Sequence, residues 1–219
     1  MSEIQKTSFR DWTLQRLEDT FGLRDDRSHV PMAEWLAVEL PTDPRACEEL
    51  ERLRDALDRH ARGWNEEELK LFFIGPLIRL VDFDGAQYGA FADRYFTAVL
   101  DGYELCGYVD GVIARGRYEP VSPYFCLQEY KPEKGRDRDP AAQVLSAMLT
   151  ARVINNRPQT VYGCYVIGRF WFFVTLDATD SCYTISRAFD AATEDVLMIF
   201  AILAKLKEWV IARIDEVKV

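Results

Sequence analysis

Two stretches, Gly107-Tyr108-Val109-Asp110-Gly111 and Gln128-Glu129-Tyr130-Lys131-Pro132, decide how this chain is read, with eighteen residues between Asp110 and Glu129. Each reads as the end of a β-strand. From Cys126 to Lys131, period-two alternation places Glu129 and Lys131 on one face and Tyr130 on the other. Two carboxylates and an ammonium brought together make a site for a divalent cation and a water. That is the minimum equipment for hydrolysing a phosphodiester.

Around these stretches the pattern is that of strands. Tyr95 to Leu100 reads as a strand, Asp101-Gly102 as a tight hairpin turn and Glu104 to Ala114 as the returning strand. Tyr124 to Lys131 is the next strand, followed by a charged loop from Pro132 to Asp139. Asp139-Pro140 sets an N-cap before Pro at the first helical position and opens a helix to about Ile154. Val161 to Ile167 and Phe170 to Leu176 form a hairpin around Gly168-Arg169. Ser181 to Arg187 reads as an edge strand. Thr193 caps a last helix with Val196, Ile199, Leu203, Leu206 and Val210 on its apolar face.

Toward the N-terminus the chain is helical and charged from Phe9 to about Arg62. Asp11 to Thr20 and Val30 to Leu40 read as short helices. Asp43-Pro44 opens a third, with Cys47, Leu50, Leu53 and Leu57 as its packing stripe. Asn65 caps a further helix with Glu66, Glu67 and Glu68 in its first turn, where acids complement the helix dipole. Leu69, Phe73, Leu77 and Leu80 mark its apolar face, and Gly75-Pro76 should kink it. The expectation is an α/β fold with a mixed central sheet flanked by helices, a helical extension over 1–62 and a main domain over 63–219.

The 219 residues are 48% apolar or aromatic, enough for a full core. No run of eighteen apolar residues occurs and the first residues lack a signal-peptide core, so no membrane span and a cytoplasmic location are expected. The five cysteines are odd in number, scattered and without a CxxC, and read as reduced core residues. The two histidines, His29 and His60, have no zinc-ligand spacing and offer no obvious triad. The net charge of -9 counts against a broad nucleic-acid surface but allows a local basic rim. Lys131, Lys134, Arg136 and Arg138, with Arg115 and Arg117, are the candidates. There is no GxxxxGK[ST] loop and no GxSxG elbow.

A helix with Glu, a strand ending in Asp, a strand with Glu-x-Lys and a helix bearing Gln, in that order, resemble the PD-(D/E)xK nucleases and their restriction-endonuclease-like fold. Within that superfamily the chain is similar to the N-terminal nuclease domain of type I restriction motor subunits. The resemblance runs from about Asn65 to Asp177. It rests on Asn65-Glu66-Glu67-Glu68-Leu69-Lys70, on Gly107-Tyr108-Val109-Asp110, on Gln128-Glu129-Tyr130-Lys131-Pro132, on Gln143 in Ala141-Ala142-Gln143-Val144, and on the hairpin Tyr162-Gly163 to Gly168-Arg169-Phe170-Trp171.

The resemblance implies a Mg²⁺- or Mn²⁺-dependent nuclease, with DNA the expected nucleic acid. Asp110 and Glu129 would bind the cation, with the Tyr130 carbonyl as a further oxygen. Lys131 would orient or deprotonate the attacking water and stabilise charge on phosphate. Glu66 would bind metal through water, and Gln143 would orient Lys131, the water or the DNA backbone. A homodimer, or separately encoded protein partners, is implied by analogy. Each residue also has an ordinary structural role: Asp110 a turn, Glu129 and Lys131 an exposed ion pair, Glu66 dipole compensation, Gln143 a solvated polar group. The alternative is an inactive protein of the same fold that binds nucleic acid or protein. A more distant rival uses Glu129 and Asp110 as an acid/base pair on a glycan.

Overall fold

The computed structural model describes residues 4–133, 139–178 and 181–216. Lys134, Arg136 and Arg138, expected on a basic rim, lie outside the described residues. The strands are β1 (Gln5–Ser8), β2 (Arg24–Asp25), β3 (Tyr88–Leu100), β4 (Tyr103–Arg115), β5 (Val121–Lys131), β6 (Val161–Ile167), β7 (Phe170–Leu176), β8 (Cys182–Ile185) and β9 (Phe189–Asp190). Among the described residues they form one mixed sheet along the path β1-β4-β5-β6-β7-β8-β2, with β3 on the other edge of β4 and β9 against the start of β7. The helices are α1 (Leu14–Phe21), α2 (Val30–Leu36), α3 (Pro44–His60), α4 (Glu66–Leu69), α5 (Gly75–Val81), α6 (Pro140–Asn155) and α7 (Asp195–Glu216). The fold is therefore mixed α/β, with helices on both faces of the sheet.

Alternation along the central strands sorts the two faces. Cys126, Tyr130, Cys164, Trp171 and Phe173 pack under α2, α3, α5 and α7. Leu127, Val161, Tyr165 and Val174 face the other way, onto α6 and α1. α6 is buried almost all round, because α1 and the short 3₁₀ turn Phe9–Asp11 cover the side away from the sheet. Asp139 fixes both neighbours: Oδ1 accepts from the Ala142 N–H at 3.0 Å as the α6 N-cap, and Oδ2 accepts from the Leu14 N–H at 3.1 Å at the start of α1. All five cysteines are free, three buried and two half-buried. No helix among the described residues is long and apolar enough to cross a membrane.

The structure departs from the sequence reading in three places. The N-terminal region is not only helical: β1 pairs in parallel with β4, and β2 with β8. Consequently β8 is not an edge strand but lies between β7 and β2. The kink expected at Gly75-Pro76 is a π-helical turn over Lys70–Ile74, where the Gly75 N–H donates to the Lys70 carbonyl. Pro76 has no N–H to continue the ordinary ladder, and one extra residue in the turn absorbs the loss.

The C-terminal end of α6 is tied to the start of β5 by one side chain. Asn155 Oδ1 accepts from the Tyr124 N–H at 2.8 Å and from the Ser122 hydroxyl at 3.2 Å, while Nδ2 donates to the Tyr124 carbonyl at 2.9 Å. Asn155 thus stands in for a neighbouring strand. Asn155→Ala leaves two part-buried backbone groups without these partners and should cost about 2 kcal/mol, a fall of several degrees in Tm. Thermal melting followed by circular dichroism checks it; an unchanged Tm would show that water replaces the clamp.

Candidate active site

The expected acidic site forms where β4 changes partner. One edge of β4 pairs with β1 over Tyr103–Cys106 and then with β5 from Gly111 to Arg115, so Gly107 to Asp110 have no strand beside them there. Asp110 supplies the missing acceptor: the Tyr130 N–H donates to Asp110 Oδ2 at 2.7 Å. Gly111 lets the two strands close directly after this gap. A Cβ there would collide with Gln128 Oε1 and stand 3.0 Å from the Tyr130 hydroxyl. That hydroxyl donates to Gln128 Oε1. Gln128 and Tyr130 form the buried wall behind Asp110, and Glu129 and Lys131 project from the opposite face of β5.

α4 brings the third carboxylate. Its start is set by a reciprocal cap, in which the Glu68 N–H donates to Asn65 Oδ1 at 2.9 Å and the Asn65 N–H donates to Glu68 Oε2 at 2.8 Å. Glu66 and Lys70 are then one turn apart on the side facing the sheet. Lys70 Nζ lies 2.7 Å from Glu66 Oε1 and 2.9 Å from Asp110 Oδ1. Lys131 Nζ lies 2.6 Å from Glu129 Oε1 and 3.5 Å from Glu66 Oε2, and donates to the Tyr130 carbonyl at 2.8 Å. Three carboxylates and two ammonium groups, from one helix and two adjacent strands, therefore make one connected network.

Burial grades across it. Side-chain exposure is 8% for Glu129, 18% for Asp110 and 34% for Glu66, so the network has a dry floor and an open lip. Burial, reinforced by the charge of Asp110, pushes the Glu129 carboxyl up to about 7 even though Lys131 favours its charged form. Glu66 behaves oppositely: burial opposes its charge, but the hydrogen bond from Lys70 and the nearby Lys131 hold its carboxyl below the usual range. Burial would lower the Lys70 ammonium, yet its hydrogen bonds to Glu66 and Asp110 raise it. Lys70 therefore enters the site charged.

Among the described residues no three His, Cys, Asp or Glu side chains are arranged to hold a metal ion. The carboxylates of Glu66, Asp110 and Glu129 instead contact Lys70 and Lys131. The donor chemistry nonetheless suits a hard divalent cation, since Asp110, Glu129, Glu66 and the Tyr130 carbonyl offer only oxygen. Of the residues expected from sequence, Glu66, Asp110, Glu129, Tyr130 and Lys131 come together. The Gln143 side chain makes no hydrogen bond to them. It is buried in α6 with its Nε2 unpartnered among the described residues.

Sequence reasoning overlooked Lys70, although Glu66 and Lys70 stand at the i, i+4 spacing of a helical ion pair. It also overlooked His29, whose Nδ1 lies 3.0 Å from Thr175 Oγ1 and whose Nε2 lies 3.1 Å from Asp177 Oδ2. Thr175 is fully buried, and these contacts tie the start of α2 to the end of β7. A groove of about 770 Å³ lined by Arg79, Phe83, Tyr88, Phe91 and Arg117 contains none of the five network side chains. No family model matches this chain, and no curated protein matches its sequence.

Proposed function

We propose that this protein is a metal-dependent nuclease of the PD-(D/E)xK type that hydrolyses phosphodiester bonds, with DNA as its substrate class. The observation that carries the reading is the meeting of Glu66, Asp110, Glu129 and Lys131 in one network at the gap beside β4. Asp110 and Glu129, with the Tyr130 carbonyl, would hold a Mg²⁺ or Mn²⁺ ion, and Glu66 would reach it through water. Such an ion, when bound, acidifies a water and neutralises phosphate charge. Lys131 orients the attacking water and donates to the phosphate oxygens as negative charge builds on them. The buried floor under Glu129 keeps bulk water from screening these charges.

A second reading is a nuclease-fold protein that binds without cutting, and one observation favours it: ammonium groups sit on the oxygens a metal would take. Cleavage separates the two. Labelled double-stranded DNA, single-stranded DNA and RNA are incubated with the protein and millimolar Mg²⁺ or Mn²⁺, beside a chelator control. Lys131→Ala should lower metal-dependent cleavage by about 10³-fold or more while the far-ultraviolet spectrum is kept. Equal cleavage by the variant removes Lys131 from the chemistry. No cleavage of any substrate by the unaltered chain favours the binding module.

A further inference from the structure

We propose that Lys70 is an internal competitor for the divalent cation: its ammonium holds Glu66 and Asp110 together in the metal-free protein, and loading of the site displaces it. The inference rests on the nuclease reading above and adds a residue that this reading does not need.

The two lysines share the carboxylates unequally. Lys131 makes its shortest contacts with Glu129 and the Tyr130 carbonyl. Lys70 makes the shorter bridge from the helix to β4, at 2.7 Å from Glu66 and 2.9 Å from Asp110, against 3.5 Å and 3.9 Å for Lys131. Lys70 therefore sits on Asp110 Oδ1, an oxygen that a cation held by Asp110 and Glu129 would compete for. A Mg²⁺ ion takes oxygens at about 2.0–2.1 Å in a near-octahedral shell, and it cannot share an Asp110 oxygen with an ammonium at hydrogen-bond distance without strong repulsion. The lysine stem has four flexible carbons and the side chain is a quarter exposed, so it can retract. It also has somewhere to go: Glu67 Oε1 is 3.5 Å from the same Nζ on the solvent side, and that side chain is 83% exposed. Moving one residue along the helix exchanges the Asp110 and Glu66 contacts for Glu67 without stranding a charge.

The start of α4 does not depend on this side chain. Its cap is made by Asn65 and Glu68, and in the π turn Lys70 takes part through its backbone. Lys70→Met keeps an unbranched stem of similar reach and removes the charge. Mn²⁺ is titrated calorimetrically into the unaltered chain, into K70M and into D110N. The expected result is Mn²⁺ binding tightened about tenfold or more in K70M and lost in D110N. A lysine with only a structural role would give the reverse, because its loss loosens the carboxylates. Unchanged or weaker binding by K70M, with D110N still inactive in binding, overturns the role of Lys70 and leaves the site reading standing. No Mn²⁺ binding by the unaltered chain or K70M overturns both.

A second measurement needs no variant. Lysines of the unaltered protein are acylated with an N-hydroxysuccinimide ester and the modified peptides are read by mass spectrometry. Mn²⁺ at a saturating level should raise labelling of Lys70. Labelling that stays level or falls at that concentration overturns the displacement.

Discussion

An Asp110→Asn chain should keep its fold and lose metal-dependent cleavage by about 10³-fold or more. The substitution separates two jobs done by one carboxylate. Oδ2 accepts the Tyr130 N–H at 2.7 Å, closing the ladder where the β5-side edge of β4 has no strand neighbour. Asparagine retains an oxygen for that task. Oδ1 receives Lys70 at 2.9 Å, and an amide NH₂ turned there would set donor against donor. The lost ionic contact with Lys70 should lower stability by about 1–2 kcal/mol. Asp110→Ala should be equally inactive but less stable than Asp110→Asn, because the Tyr130 N–H then loses its acceptor as well. Cleavage rates with Mg²⁺ and thermal melts on the two variants check this together. An asparagine variant that cuts at the unaltered rate would remove Asp110 from the site, whatever its effect on folding.

What the sequence disclosed is what local chemistry controls. Asp101-Gly102 demands two left-handed residues in a two-residue turn, and the structure has φ of 48° and 85° there. Asp139-Pro140 caps α6 as expected. Alternation alone separated Tyr130 from Glu129 and Lys131, and the three lie on opposite sides of β5. What stayed hidden depends on distant partners. β1 and β2 are four and two residues long, too short to show a period, and exist because β4 and β8 offer parallel edges far along the chain. Lys70 was assigned no role because nothing local reveals that Asp110, forty residues on, meets its ammonium. Gln143 was drawn into the site by resemblance; it is buried near the start of α6, and its Nε2 makes no hydrogen bond among the described residues.

The buried floor of the site yields the other large effect. Glu129 titrates at about 7, raised by burial and by Asp110, whereas an unfolded glutamate titrates at about 4.3. The folded chain therefore binds the proton more tightly than the unfolded one. Below the unfolded value both states are protonated and the folded state is at its full advantage. As pH rises from about 4.3 through 7, that advantage is lost, and by pH 8 ionised Glu129 costs on the order of 3 kcal/mol. Glu129→Gln removes the ionisation and keeps an oxygen for Lys131. In chelator-treated protein its Tm should exceed that of the unaltered chain by about 5–10 °C at pH 8, and the gap should close toward pH 5. The same variant should be inactive, since it lacks the deepest carboxylate. Melts of both proteins across this pH range decide the matter: a gap that is absent, or that widens as the solution is acidified, would mean that Lys131 governs Glu129 and that burial does not. A gap of the expected sign would mean that burial governs Glu129 and that the chain tolerates a destabilising charge there, as the proposed cation site requires.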